Sequence, residues 1–312
     1  MTVSVYMLTY NHEKFIAQAI EGVMMQQTNF PFELVIGEDC STDDTRRICL
    51  QYKEKYPETI QLLLHEKNVG AKRNGQMVID ACMGKYIAIC EGDDYWTDPC
   101  KLQKQVDFLE THSDYSACAH QCTVIYDYMN RKPEPFTKKT KDPVLLKDLL
   151  NGHICHLNTL MVKHELIQMA DNESADIVST DKYLYFVCAA NGFIKFMPEA
   201  MSVYRINHTG ISTWINPAMM EADLQMATLL VNAYPWFPKN HCLSLIHKTI
   251  LYAHHVSFFT YMKHYCLYAW YSFSTFPRNL VPLLRFTFLT NAKFLFLHLF
   301  PHVRWKKLQP WR

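Results

Sequence analysis

Residues 84–96 have the sequence G-K-Y-I-A-I-C-E-G-D-D-Y-W, in which a short apolar run leads directly into three carboxylates. The run Tyr86–Cys90 predicts a buried strand of a parallel sheet, because such strands are apolar on both faces. A second apolar run, Leu34–Gly37, leads in the same way into E-D-C-S-T-D-D-T at residues 38–45. In open α/β sheets, ligands bind just beyond the carboxyl ends of the strands. The two acidic clusters are therefore expected to line one ligand site.

Carboxylates gathered at such a site need a compensating partner. They repel one another, and removing them from water costs free energy, so a cationic or hydrogen-bonding group is expected beside them. A divalent metal that carries a nucleotide diphosphate would meet this need. The clusters therefore indicate a protein that handles an activated, nucleotide-linked substrate.

The chain around these clusters alternates between predicted strands and helices. Apolar positions between Phe15 and Met24 recur at helical spacing, and Asp98-Pro99 is typical of a helix start. Such alternation predicts the α/β class, with a doubly wound, mainly parallel sheet and flanking helices. The strands are predicted at Val3–Leu8, Glu33–Gly37, Ile60–His65, Tyr86–Cys90, 116–126 and Phe193–Met197.

The composition is that of a globular protein, since 49% of the 312 residues are hydrophobic and 20% are charged. The eleven cysteines are scattered along the chain. Neither a basic segment nor a cleavage site precedes the first predicted strand. Reduced cysteines in a cytosolic chain are therefore expected.

The net charge of +1 hides a strong asymmetry along the chain. No Asp or Glu follows Asp223, whereas ten of the 31 Lys and Arg residues do. Residues 1–223 therefore combine 21 basic with 30 acidic residues and carry about −9, and the remaining residues carry about +10. The chain is expected to present two different surfaces.

Six motifs follow one another along the chain: V-S-V-Y-M-L-T-Y-N at 3–11, E-D-C-S-T-D-D-T at 38–45, N-V-G at 68–70, G-K-Y-I-A-I-C-E-G-D-D-Y-W at 84–96, T-D-K-Y-L at 180–184 and V-Y-R-I-N-H at 203–208. In this order and spacing they resemble the motifs of family 2 glycosyltransferases, the inverting enzymes of GT-A fold. The resemblance covers residues 1 to about 210. It implies a catalytic domain at 1–215, with nucleotide-sugar binding in 1–112 and the acceptor side in 113–215.

The resemblance implies roles for residues on the nucleotide side of the site. Thr9 and Tyr10, at the end of the first predicted strand, would lie along the nucleotide base. Asp39 would accept a hydrogen bond from the base or the ribose, because an ionised carboxylate is only an acceptor. The alternative for Asp39 is a helix or turn cap. The implied set also includes Asn68, Gly70 and Arg73, the last of which could equally belong to a solvated face.

The resemblance also implies a metal site. Asp93 and Asp94 match the family's motif for metal and diphosphate, and Glu91 stands where the family often has Asp. Mn²⁺ or Mg²⁺ is the expected cofactor, since both take oxygen ligands and substrate phosphates. The ion would offset charge on the departing nucleoside diphosphate. The alternative, that this segment only caps the next helix, fits Asp98 better than Asp93.

Asp181 matches the family's catalytic base. An inverting transfer needs a carboxylate opposite the leaving group, where it takes a proton from the acceptor hydroxyl. The alternative is a helix N-cap next to Thr180, with Asp176 as a second candidate for the base. Arg205 could pair with the diphosphate or serve the structure.

The resemblance does not extend past about residue 215, where the chain turns helical, aromatic and basic. The mostly apolar stretch Phe286–Phe300 contains Lys293 and is too short and too charged for a transmembrane helix. Residues 216–312 are instead expected to form a helical extension on a membrane surface, where anionic lipids attract basic residues. The alternative is a helical subdomain that packs on the sheet or on a second protomer.

These expectations combine into an inverting glycosyltransferase. It would move a sugar from a nucleotide-diphosphate sugar to a glycan or lipid-linked acceptor, in cell-surface polysaccharide or lipid-linked glycan synthesis. It would lie peripherally on the inner face of the cytoplasmic membrane, and no nucleic-acid partner is expected. One alternative, a sugar-phosphate nucleotidyltransferase, would want a glycine-rich basic loop where Thr9–Asn11 stands. The other is a non-catalytic membrane scaffold on a degenerate domain, against which the presence of Asp39, Asp93, Asp94 and Asp181 argues.

Overall fold

The computed structural model describes residues 1–138, 141–149, 154–173 and 180–208, together with residues 226, 229, 230, 233 and 234. One compact unit comprises residues 1–175 and 180–213 and contains every strand and helix named below. A second unit comprises residues 176–179 and 214–312. The predicted extension at 216–312 thus lies almost entirely outside the described residues, so its helices and its membrane binding stay predictions.

The described part of the first unit contains nine strands, seven α-helices and a 3-10 helix at Leu157–Thr159. The strands are β1 (Val3–Thr9), β2 (Phe32–Glu38), β3 (Ile60–Leu64), β4 (Tyr86–Ile89), β5 (Tyr95–Trp96), β6 (Tyr115–Tyr126), β7 (Glu134–Pro135), β8 (Met161–Lys163) and β9 (Phe193–Ile206). The helices are α1 (Ile16–Met24), α2 (Thr45–Lys55), α3 (Ala71–Ala81), α4 (Lys101–Thr111), α5 (Leu146–Leu149), α6 (His164–Glu173) and α7 (Thr180–Asn191). No helix among the described residues is long and apolar enough to cross a membrane.

Four strands form a parallel half of the sheet. β1 lies between β2 and β4, and β2 also pairs with β3, all in parallel. In this register Val3 is opposite Phe32 on one side and Tyr86 on the other. The chain therefore builds one side of the sheet from β1 and then crosses back to build the other side. Such a reversal of strand order leaves a crevice for a ligand at the carboxyl end of β1.

The strands beyond β4 make the whole sheet mixed. Its order is β3-β2-β1-β4-β8-β6-β9-β5, and β7 pairs with β6 outside this order. β8 is antiparallel to β4 and to β6, β9 is parallel to β6, and β5 is antiparallel to β9. The predicted α/β class with flanking helices is confirmed, and the predicted parallel pairing describes the strands from β1 to β4.

The strands β1, β2 and β4 of the parallel half are mainly buried, as their apolar runs predict, whereas the edge strand β3 is partly exposed. All four residues of β4 are buried, and so is the run Leu34–Ile36 of β2. α1 and α4 add Ile16, Ile20, Leu102 and Val106 to the same hydrophobic core. Each such side chain contributes about 1.5–3 kcal/mol when it is fully buried. This packing fixes the positions of the strand ends, where the acidic clusters begin.

Candidate functional site

The acidic segment after β4 folds tightly against the end of β1. The Gly92 N–H donates to the Leu8 carbonyl (2.9 Å), and the Asp94 N–H donates to the Glu91 carbonyl (3.1 Å). A Cβ atom at position 92 would lie 2.8 Å from Thr9 Oγ1 and 2.9 Å from the Leu8 carbonyl oxygen. Only glycine permits this approach. Gly92 was not among the predicted site residues, although its position between acidic residues is a usable signal.

Glu91, Asp93 and Asp94 form a group that fits a divalent cation. One carboxylate oxygen of each residue lies within 4.8 Å of the others. Among the residues that the structure describes, no other group of Cys, His, Asp or Glu side chains meets this condition. Oxygen ligands of this kind suit Mn²⁺ and Mg²⁺. The structure thus brings together the three residues predicted to bind a metal.

The electrostatics of this group favour a bound cation. Burial, together with the charges of Asp93 and Asp181, raises the pKa of Glu91 to about 8. Burial and the charges of Asp93 and Glu91 also raise the pKa of Asp94 well above its usual value. A divalent cation would lower both pKa values, because it favours the charged form of each carboxylate. The residues present therefore fit the metal that the resemblance implies.

The two neighbouring aspartates differ in how open their oxygens are. Asp94 is buried, and its two oxygens accept hydrogen bonds from the Arg205 backbone N–H (2.8 Å) and from Asn158 Nδ2 (2.9 Å). Asp93 is half-buried, and its Oδ2 accepts a hydrogen bond from Asn207 Nδ2 (2.9 Å). Its Oδ1 accepts none from the described residues. Asp93 therefore has one carboxylate oxygen that is open to a ligand. Both oxygens of Asp94 already accept a hydrogen bond from the protein.

Asp39 holds the turn that precedes α3. Its Oδ1 accepts the Val69 N–H (2.7 Å) and its Oδ2 accepts the Gly70 N–H (2.9 Å), while Asn68 Oδ1 also accepts the Gly70 N–H (3.1 Å). Gly70 has a φ of 85°, which favours glycine. The structure thus brings Asp39, Asn68 and Gly70 together. A carboxylate has about four lone-pair sites, so Asp39 can still accept a hydrogen bond from a ligand.

Thr9 is the last residue of β1, and Tyr10 follows it. The loop that begins there is hydrogen-bonded to the loop after β2. Thr9 is buried, whereas 41% of Tyr10 is exposed. Asn11, with a φ of 56°, receives a hydrogen bond at Oδ1 from the Thr42 N–H (2.9 Å), and its own N–H donates to Ser41 Oγ (3.0 Å). The loops after β1 and β2 therefore lie side by side at the edge of the sheet. The contact of Thr9 and Tyr10 with a nucleotide base stays a prediction.

The two arginines considered for the diphosphate both contact the protein. Arg73 Nη1 donates to Gln76 Oε1 (2.7 Å) within α3. Arg205 Nε donates to the Asp93 carbonyl (2.9 Å), and its Nη2 donates to Gln18 Oε1 in α1 (2.8 Å). Of the two alternatives for Arg205, the structure favours the structural one. Phosphate contact by Arg73 stays a prediction.

Asp181 lies in the first turn of α7. Its charge contributes to the raised pKa of Glu91, so the two carboxylates lie close enough to interact. The role of Asp181 as the general base stays a prediction. Asp176, the second candidate for the base, lies outside the described residues.

An aromatic group borders the acidic cluster on the side of β6 and β9. His156 Nδ1 lies 3.6 Å from Asp94 Oδ2. The His156 ring stacks on Tyr204 with the centroids 3.8 Å apart, and Phe136 approaches both rings edge-on. This group was not predicted, because its members come from three separate segments that only the fold brings together.

Known proteins of one family match this chain. The model of the family described as Glycosyl transferase family 2 matches residues 4–186. An uncharacterized protein of Mycobacterium tuberculosis is 36% identical over 208 residues, which are 67% of this chain and 60% of that protein. The chain thus spans about 60% of the length of the first curated relatives that it matches.

Two solved structures share the fold. Residues 1–349 of Staphylococcus aureus TarS, in complex with UDP-GlcNAc, match with a TM-score of 0.63 at 22% identity, over 82% of this chain and 74% of that one. The mannosyltransferase PcManGT from Pyrobaculum calidifontis, in complex with GDP-Man and Mn²⁺, matches with a TM-score of 0.53 at 15% identity, over 94% of this chain and 86% of that one. The predicted fold is confirmed by these similarities.

Proposed function

Because the chain belongs to glycosyl transferase family 2, we propose that it transfers a sugar from a nucleotide-diphosphate sugar to an acceptor hydroxyl. The observation that carries this proposal is the convergence of carboxylates at one edge of the sheet. The ends of β1, β2 and β4 meet there because these strands are parallel. Glu91, Asp93 and Asp94 follow the end of β4, and Asp39 follows the end of β2. The charge of Asp181 contributes to the raised pKa of Glu91.

The proposed donor is a nucleoside diphosphate linked to a sugar. TarS binds UDP-GlcNAc and PcManGT binds GDP-Man, and both ligands belong to this class. In this chain, Asp39 would accept a hydrogen bond from the nucleoside while it holds the turn at Asn68–Gly70. Thr9 and Tyr10 would lie along the base. Arg73, in the exposed first turn of α3, would approach the phosphates.

The proposed cofactor is Mn²⁺ or Mg²⁺, which Glu91, Asp93 and Asp94 would hold. When bound, such an ion offsets the negative charge that develops on the departing nucleoside diphosphate. Support comes from the distances within the acidic group and from the Mn²⁺ in the PcManGT complex.

The proposed general base is Asp181, in an inverting transfer. A carboxylate that stays ionised can take the proton of the acceptor hydroxyl as that oxygen attacks the sugar. Asp181 lies in α7, outside the segment 1–112 proposed to bind the donor. Its charge contributes to the raised pKa of Glu91.

The proposed acceptor is a cell-surface glycan or a lipid-linked glycan. TarS is named as a poly(ribitol-phosphate) β-N-acetylglucosaminyltransferase, and it is 31% identical to this chain over 118 residues. The aromatic group of Phe136, His156 and Tyr204 borders the acidic cluster and belongs to residues 113–215, the part of the chain proposed to bind the acceptor. Because the segment after Asp223 is basic and contains no Asp or Glu, we also propose that it binds the cytoplasmic membrane surface.

A thermal-shift panel tests the donor and the cofactor together. UDP, GDP, CDP and ADP are added to the wild type and to Asp93→Asn, each with and without Mn²⁺. A ligand at a hundred times its Kd adds about 2.7 kcal/mol to the free energy of unfolding, which visibly raises Tm. We expect one nucleotide to stabilise the wild type only with Mn²⁺ and to leave Asp93→Asn unchanged. If no nucleotide shifts the wild type, the non-catalytic scaffold becomes the better interpretation.

A further inference from the structure

The side chain of Asn158 makes buried contacts that the proposed function does not yet use. It lies in the 3-10 helix and is fully buried. Its Nδ2 donates to Asp94 Oδ2 (2.9 Å) and to the Val203 carbonyl (3.0 Å). Its Oδ1 accepts a hydrogen bond from Ser202 Oγ (3.1 Å). Both N–H bonds of the amide and its carbonyl oxygen therefore have partners.

The neighbours of this amide determine its orientation. The Val203 carbonyl can only accept, and so can the carboxylate of Asp94 when it is ionised, so the amide nitrogen faces these two groups. The Ser202 hydroxyl can donate or accept, so it does not set the orientation of the amide and donates to whichever atom faces it, here Oδ1. The reverse orientation would set oxygen against oxygen at two places. Asn158 therefore delivers one N–H to Asp94 in a single defined position.

The backbone around Asn158 is equally well held. Trp96 Nε1 donates to the Asn158 carbonyl (3.0 Å), and Gln105 Nε2 donates to the carbonyl of Thr159 (2.9 Å). Gln105 Oε1 in turn accepts a hydrogen bond from the buried Lys101 Nζ (2.7 Å). A buried polar network in α4, β5 and the 3-10 helix thus supports the position of the amide. Such networks make one arrangement strongly preferred when every member has a partner.

We propose that Asn158 is a positioning residue for the cation site. It fixes the carboxylate of Asp94, and so sets how the oxygens of Glu91, Asp93 and Asp94 are arranged around an ion. The inference rests on the proposed function, since it concerns the same site. Partners that orient the ligands of a metal change its affinity about ten- to a hundredfold when they are removed.

The test is the Kd for Mn²⁺, measured by calorimetry on the full chain without nucleotide. Asn158→Leu keeps the approximate shape of the side chain and removes the N–H that Asp94 accepts. Ser202→Ala is the matched control, because it removes a buried hydrogen bond to the same amide but leaves the contact with Asp94. We expect the Kd to rise about ten- to a hundredfold in Asn158→Leu and to stay close to the wild-type value in Ser202→Ala.

Two results would overturn the inference: an unchanged Kd in Asn158→Leu, or an equal loss in Ser202→Ala, which would show a general disturbance of the core. If Asn158→Leu does not unfold cooperatively, Asn158→Ala takes its place. A smaller rise of the Kd for Mn²⁺ is then expected, because water can enter and donate to Asp94. A wild type that binds no Mn²⁺ would overturn the proposed metal site and this inference with it. A wild type that binds Mn²⁺ but no nucleoside diphosphate would overturn the proposed donor alone.

Discussion

Asp93 and Asp94 are neighbours in the chain, yet their surroundings give them different chemical possibilities. Asp94 is 2% exposed and both of its oxygens are hydrogen-bonded, so its position is determined by the protein. Asp93 receives one hydrogen bond from Asn207 and keeps an oxygen that the described residues leave open. At the scale of single residues, the difference lies in the donors that reach each carboxylate and not in the carboxylates themselves.

Asp181→Asn tests the proposed base. The amide cannot take a proton, so we expect transfer to fall by about 10²–10⁴-fold, while Mn²⁺-dependent nucleotide binding stays at the wild-type level. The measurement is release of nucleoside diphosphate from the donor, with a cell-envelope extract as acceptor, beside calorimetry of nucleotide binding. Asp107→Asn, at an exposed position of α4, is the control. Wild-type turnover in Asp181→Asn would show that another group takes the proton.

The raised pKa of Glu91 predicts how the free energy of unfolding depends on pH when no metal is present. Its pKa is about 8 in the folded protein, against an ordinary value of 4.5 in the unfolded chain. The folded state therefore keeps a proton that the unfolded state has lost, and the free energy of unfolding falls as the pH rises through this interval. Each kcal/mol lost lowers Tm by about 2–4 °C for domains of 150–250 residues.

The measurement for Glu91 is Tm in EDTA between about pH 5 and pH 9, for the wild type and for Glu91→Gln. Because Gln does not titrate, we expect a flatter pH dependence of Tm in Glu91→Gln. Glu54→Gln, at an exposed position of α2, is expected to retain the wild-type slope. The same slope in all three proteins would contradict the raised pKa of Glu91.

At the scale of elements, the end of β9 holds the acidic turn in place. Arg205 joins it to α1, because its Nε donates to the Asp93 carbonyl while its Nη2 donates to Gln18. The guanidinium also lies over the Phe15 ring, 4.6 Å from its centroid. Asn207, further along the chain, donates to the Asp93 carboxylate. The turn therefore depends on three elements, β4, β9 and α1, that are far apart in the sequence.

Arg205→Lys tests this arrangement. Lysine keeps the charge but loses the planar fork that reaches Asp93 and Gln18 together. We expect the free energy of unfolding to fall by roughly 1–3 kcal/mol, as for the loss of hydrogen bonds to a charged group. Mn²⁺-dependent nucleotide binding should weaken as well. The measurements are chemical denaturation and calorimetry.

The matched control for Arg205→Lys is Arg47→Lys, where an exposed arginine pairs with Asp44 across one turn of α2. Little change is expected there, since such surface pairs contribute little to stability. Equal effects in the two variants would mean that Arg205 has no special part in holding the turn.

At the scale of the whole molecule, charge divides the chain into two parts. Residues 1–223 carry about −9, and the remaining residues carry about +10. The acidic part includes the site, where a cation fits among the carboxylates. The basic part is rich in aromatic residues, a composition typical of segments that bind a membrane interface. The proposed membrane surface would then bring a lipid-linked acceptor and the site together.

Flotation with vesicles tests the membrane proposal. We expect the full chain to float with phosphatidylserine vesicles at low salt and to be released as salt rises, because each basic residue near such a surface contributes about 1 kcal/mol. Neutral phosphatidylcholine vesicles are the control. A chain truncated near residue 235 should stay in the soluble fraction. Equal recovery of both chains in that fraction would contradict membrane binding by the basic segment.

Local signals along the chain were enough to predict the parallel half of the fold and the sheet edge at which the carboxylates gather. Apolar runs such as Leu34–Gly37 and Tyr86–Cys90 are local signals, and a carboxylate placed after such a run must lie at the carboxyl end of a strand. Motif order was enough to predict the family and to select Asp39 and Asp181 as candidates. The fold class and the family are confirmed, because each depends on signals that lie along the chain, whereas the roles of Asp39 and Asp181 stay predictions.

How the candidate residues are held depends on the folded structure and could not be predicted. It placed β8 antiparallel between β4 and β6, made β9 long enough to return to the acidic turn, and set Asn158 against Asp94. A buried asparagine in a short 3-10 helix has no pattern that distinguishes it from an exposed loop residue. Its role comes from donors and acceptors that are distant in sequence, and their distances are determined by packing of the whole sheet.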